Sequence, residues 1–111
     1  MENCQHKELE GGGWSKMPFP RQMANIGSET YRSVKWLEKN NLARAEQAFE
    51  RALELIDLTI RYGRLDDSSK RGSLLKELCR FRAAYCKAFQ EKEISDIKNL
   101  NKYLDHFSLV N

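Results

Sequence analysis

Long apolar runs are missing from this 111-residue sequence. None approaches the ~20 consecutive apolar residues that a membrane-spanning helix requires, so no membrane segment is expected. Histidine is scarce: there are two, His6 and His106. On a helix, the neighbouring Asp105 and His106 side chains would point about 100° apart, which prevents them from acting as a base with its orienting carboxylate. No nucleophile stands with a base and a third group to orient it. Gly11-Gly12-Gly13 is followed by neither a strand nor Lys-Ser/Thr, so it lacks the makings of a phosphate loop.

Metal and redox chemistry are equally poorly supplied. Cys4-Gln5-His6 offers two ligands but no second pair at zinc-site spacing. Cys79 and Cys86 fall two helical turns apart, about 10 Å along an axis, beyond the roughly 7 Å between Cα atoms that a disulfide tolerates. Both are expected to pack as small apolar side chains. An odd number of cysteines, with acids where a secretory leader needs a basic start and an apolar run, points to a reducing, cytoplasmic compartment. Helical ribonucleases of the HEPN type place an Arg several residues before a His. Here Asn99, Asn101 and Lys102 precede His106 without one. The expectation is a non-enzymatic chain with no cofactor and no metal.

What is present suits one small helical domain. Apolar residues make up 41% and charged residues 32%, with a net charge of +3, an ordinary globular balance. Residues 1–22 read as a flexible tail, with a Gly-rich break and Pro18-Phe19-Pro20 forcing extended backbone. Trp14, Met17 and Phe19 in that tail either fold back onto the rest or form a short docking motif. Residues 23–111 read as the bundle.

The first helix starts between Pro20 and Ser28 and runs to Lys39, because Met23, Ile26, Thr30, Val34 and Leu37 recur at three- and four-residue steps. Pro20 suits a first turn and Ser28 an N-cap, which leaves the start open. Asn40-Asn41 ends it. The second helix, Leu42–Tyr62, carries Leu42, Ala45, Phe49, Ala52, Ile56 and Ile60, widened by Leu53, Leu55 and Leu58. So broad an apolar arc predicts the central position. Gly63 stops it, and Asp66-Asp67-Ser68-Ser69 supplies turn and cap chemistry for a third helix over 69–90. There Leu74, Leu78, Phe81, Tyr85 and Ala88 form the stripe, flanked by Leu75, Cys79, Arg82, Cys86 and Phe89. A fourth helix over 95–109 buries Ile97, Leu100, Leu104 and Phe107. The predicted fold is all-α: a small antiparallel bundle of about four helices joined by short loops.

Charge is unevenly spread. Between Lys70 and Gln90 six cations stand against Glu77 alone, a surplus of five. Lys76, Arg80 and Lys87 share a face that suits phosphates or an acidic partner, or is simply solvated beside Glu46, Glu50 and Glu54 of the second helix. Arg82 interrupts an apolar row, as does Asp57 in Leu55-Ile56-Asp57-Leu58. These two are predicted to pair between the second and third helices, with Arg61 as the competing partner one turn from Asp57.

Two resemblances follow. Asn40-Asn41-Leu42 with Ala45, Phe49 and Ala52 resembles the second half of a tetratricopeptide hairpin, in a single copy that builds no solenoid. Glu50–Ile60, then Glu77–Arg82, then Tyr103–Phe107 together are similar to a family of short bacterial helical proteins. That likeness implies a bacterial, cytoplasmic helical bundle and brings no activity. The expected function is an interaction module that binds a protein partner or forms a homodimer. Its support is apolar residues outside the main stripes: Trp36, Leu55 and Leu58. Nucleic-acid binding through the third helix ranks second, because that helix carries no recognised reading motif and its rings, Phe81, Tyr85 and Phe89, belong to the apolar rows.

Overall fold

Four α-helices make up the computed structural model, which describes residues 13, 14, 16–62 and 71–110, with the backbone alone for 62, 71 and 105–110. They are α1 (Phe19–Glu38), α2 (Leu42–Tyr62), α3 (Arg71–Gln90) and α4 (Ile94–Val110). No strand occurs among the described residues. The readings of Gly63, of the Asp66–Ser69 turn and of Cys4 and His6 fall outside them, as does the side chain of His106.

Local chemistry sets the helix ends. Pro18 caps α1 and Pro20 sits in its first turn, where a missing N–H costs nothing. Ser28 is instead mid-helix, with its hydroxyl donating to the Ala24 carbonyl at 3.2 Å. Asn40 takes the left-handed conformation at φ 59°. Its N–H reaches the Leu37 carbonyl at 3.0 Å and that of Asn41 reaches Trp36 at 2.9 Å, which closes α1 with a Schellman pair. Asn41 then caps α2, its side-chain oxygen accepting the Arg44 N–H at 3.1 Å. Lys92 repeats the left-handed closure after α3 at φ 57°, with the Glu93 N–H donating to Ala88.

Cross-helix contacts run in opposite order along three neighbouring pairs. Glu38 meets Lys98, Thr30 meets Asn101, and Gly27 faces Leu104, so α4 descends against α1. Trp36 meets Arg44 while Glu29 meets Arg51, so α2 does the same. α3 returns along α2 through Asp57–Arg82 and Phe49–Phe89. The result is a ring in which α1 and α3 lie on a diagonal.

The closest packing belongs to α1, which lies against α2 and α4, whereas α3 rests more loosely on α2 and α4. This corrects the central place given to α2. The reason is side-chain size. Ala45, Ala48 and Ala52 of α2 are fully buried, and a Cβ on Gly27 would stand 4.0 Å from that of Leu104, so the axes of α1, α2 and α4 approach. Between α2 and α3 stand rings: Phe49 and Phe89 stack at 4.2 Å, and Tyr85 tilts against Phe49 at 5.1 Å. Rings hold α3 farther away.

A polar seam crosses this core. The Tyr85 hydroxyl donates to Ser33 at 2.8 Å, Ser33 donates to the Thr30 carbonyl at 2.6 Å, and the Thr30 hydroxyl reaches the Asn101 side chain. Buried hydroxyls are costly unless each has a partner, and here each has one.

The boundary at residue 22 needs correction. Trp14 is 1% exposed and Phe19 7%, and both belong to the core cluster. The indole N–H of Trp14 donates to the Thr59 hydroxyl at 2.9 Å, and Gln22 donates to the Trp14 carbonyl at 2.8 Å. Burying a side chain of this size releases far more ordered water than a loose cover would, so the segment around Trp14 folds as part of the bundle.

Candidate functional site

The looser seating of α3 leaves a groove of about 640 Å³ between α3 and α4. Its floor is apolar: Phe81, Ala84 and Ala88 from α3 with Leu100 and Tyr103 from α4. Phe81 and Tyr103 stack at 6.3 Å across one end. The rim carries both signs, with Arg80 and Lys87 standing among Glu77, Glu91 and Asp96. Tyr103 donates to the Glu77 carboxylate at 3.1 Å. Partial desolvation, with that bond second, pushes its hydroxyl pKa up from 10.0.

The cations predicted to form one basic face are therefore divided. Arg80 and Lys87 line the groove among three acids, and Lys76 is exposed outside it. The surplus counted along α3 is offset by acids from the following turn and from α4, which a count on one helix cannot include.

Asp57 and Arg82 do meet. Arg82 Nε donates to Asp57 Oδ1 at 2.8 Å and a terminal guanidinium nitrogen donates to Oδ2 at 3.3 Å. The bond to Asp57 raises the Arg82 pKa, against a smaller opposing effect of burial. The pair is not dry, however: the side chains are 37% and 45% exposed for Arg82 and Asp57. The row on which Arg82 stands is a boundary row, with Cys79 exposed and Cys86 half-buried. Cys79 is thus not the packed apolar residue expected from its spacing.

The apolar residues counted as surplus are largely used inside the fold. Leu55 and Leu58 are 3% and 6% exposed, because the buried arc of α2 is centred on Ala45, Ala48 and Ala52 rather than on Leu42. Leu42 itself is 47% exposed. Trp36 is half-buried and faces a second surface that sequence reasoning missed. On α1, Ser28, Tyr31, Arg32, Lys35, Trp36 and Lys39 surround a shallow depression of about 410 Å³. The signal in the sequence was Tyr31-Arg32 followed by Lys35-Trp36, aromatic and basic residues side by side.

Among the described residues no group of three or more His, Cys, Asp and Glu side chains gathers to hold a metal, and no helix is long and apolar enough to cross a membrane. Comparison with protein families, with curated proteins and with solved structures finds no match to this chain. What the fold and the groove define is a class, a small all-α bundle with an open apolar cleft between two of its helices.

Proposed function

We propose that this chain is a non-enzymatic interaction module whose α3–α4 groove receives an amphipathic helix, from a partner protein or from a second copy. The observation that carries this reading is the groove floor of Phe81, Ala84, Ala88, Leu100 and Tyr103 between two helices that do not close over it. Helix-in-groove recognition uses such a floor for apolar anchors at three- and four-residue steps, with rim charges setting orientation. Arg80 and Lys87 beside Glu77 and Glu91 on one wall, with Asp96 on the other, favour a helix that carries charges of both signs along the rim.

Ala84 is exposed on the floor, so Ala84→Arg would block the groove without touching the core. Sedimentation of wild type across a wide concentration range, and co-purification from the native host, are compared with this variant. A dimer or a stoichiometric partner lost in Ala84→Arg supports the reading. A monomer whose partners are the same with and without the substitution refutes it.

A further inference from the structure

We propose that the outer face of α1, with Arg44 of α2, is a second binding surface, and that its ligand is single-stranded nucleic acid. This goes beyond the groove and rests on different residues. Arg32, Lys35 and Lys39 form one stripe at steps of three and four residues, spanning about 10 Å of helix. Two aromatic rings are set among them. Lys35 Nζ lies 5.4 Å from the centre of the Tyr31 ring, Lys39 Nζ lies 5.3 Å from Trp36, and the Arg44 guanidinium lies 4.9 Å from Trp36.

Of the acids of α1, Glu29 stays at the edge of this face, where it binds Arg32, and Glu38 is turned away from it. Glu29, 9% exposed at its side chain, is bound by Arg51 at 3.1 Å as well as by Arg32 at 3.0 Å. Glu38 turns to Lys98 of α4 at 2.9 Å. None of Lys35, Lys39 and Arg44 pairs with a carboxylate among the described residues. The depression they border has no acid in its lining. This is the reverse of the α3 groove, where three acids stand among the cations.

Cations alone would suit any polyanion. The rings select among them. Tyr31 is 54% exposed, more than any other large apolar side chain described here, although water is a poor environment for an aromatic face. An unpaired base stacks on such a ring while Lys35 and Lys39, whose ammonium groups sit over the rings on flexible stems, swing to the phosphates. A duplex hides its base faces, and an acidic peptide has none to offer. On α3 the rings that stand among the cations, Phe81, Tyr85 and Phe89, are buried, whereas on α1 Tyr31 is exposed beside them.

The test is titration of a labelled oligothymidylate of about 12 nucleotides, within the usual range for single-strand sites, against wild type and variants. A duplex of the same length and polyglutamate serve as comparisons, and circular dichroism checks the fold of each variant. The expected result is preference for the single strand, with log K falling against log salt at a slope of about −2 to −3, for three or four phosphates. Lys35→Glu with Lys39→Glu weakens binding about tenfold or more, and Tyr31→Ala about fivefold or more. Lys76→Glu, Arg80→Glu and Lys87→Glu together leave the preference for the single strand in place. The proposal is overturned by absence of binding at about 50 mM salt, by equal affinity for duplex or polyglutamate, or by folded α1 variants that bind like wild type.

Discussion

Trp14 and Thr59 are 45 residues apart in sequence and 2.9 Å apart in space, the indole N–H donating to the threonine hydroxyl. That hydroxyl donates in turn to the Leu55 carbonyl at 2.8 Å. One bond therefore fastens the segment preceding α1 to the buried face of α2, and the bond itself is buried.

Loss of either partner should be felt in stability. Trp14→Ala removes a large core side chain and is expected to cost about 3–5 kcal/mol. Thr59→Val keeps the shape but strands the indole N–H, at about 1–3 kcal/mol. Urea unfolding of the two single variants and the double variant measures the coupling. If Trp14→Ala unfolds like wild type, the segment does not belong to the core.

The Asp57–Arg82 pair should be weak. With both side chains more than a third exposed, water screens the charges, and the expected coupling is under about 1 kcal/mol, at the upper end because the contact uses two guanidinium nitrogens. Asp57→Asn and Arg82→Met should therefore each be mild, and their coupling should shrink in high salt. A loss of about 3–5 kcal/mol for either would mean a dry pair.

Tyr85 predicts the alkaline limit of the fold. Burial pushes its pKa well above the ordinary 10.0, and the Ser33 hydroxyl only partly opposes this. In the unfolded chain the phenol ionises near pH 10, while in the folded chain it stays protonated. The unfolded state then binds fewer protons, so stability is fully present below about pH 10 and falls as pH rises beyond it. Absorbance of tyrosinate should show one phenol that ionises only as helicity is lost. Tyr85→Phe should flatten the decline, while lowering stability at neutral pH because Ser33 loses the hydrogen bond it accepts. A tyrosinate signal lost in Tyr85→Phe that appears near pH 10 while the helices are intact would contradict this.

Lys92 holds a left-handed conformation at φ 57° that an L side chain adopts at a cost. Its ammonium donates to the Phe89 carbonyl at 3.2 Å and lies 4.9 Å from that ring, which offsets part of the strain. Lys92→Gly is expected to raise stability by about 0.5–1 kcal/mol. Thermal unfolding would move upward by a few degrees, and a decrease would show that the Phe89 contacts outweigh the strain.

The sequence by itself determined the four helices and, at Asn40-Asn41, the turn from the first into the second. Asn40-Asn41 and the apolar steps of Leu78, Phe81, Tyr85 and Ala88 depend on residues within a few positions of one another, so their physics is local. It also singled out Asp57 and Arg82, each an ionic break in an apolar row. The tertiary structure alone decided what those rows face. Arg82 lies at the rim of the α2–α3 contact because Phe49 and Phe89 keep α3 out, and Leu55 is buried because three alanines rotate α2 toward α1. Arg80 and Lys87 share a groove with Glu91 and Asp96, whereas on α1 Glu29 is shared between Arg32 and Arg51 and Glu38 is drawn off the face by Lys98. Burial and charge balance depend on neighbours brought together from distant positions, and a stripe read along one helix cannot include them. Trp14 is the clearest case: its segment has the composition of a tail, and only its contact with Thr59 and the core around it made it buried.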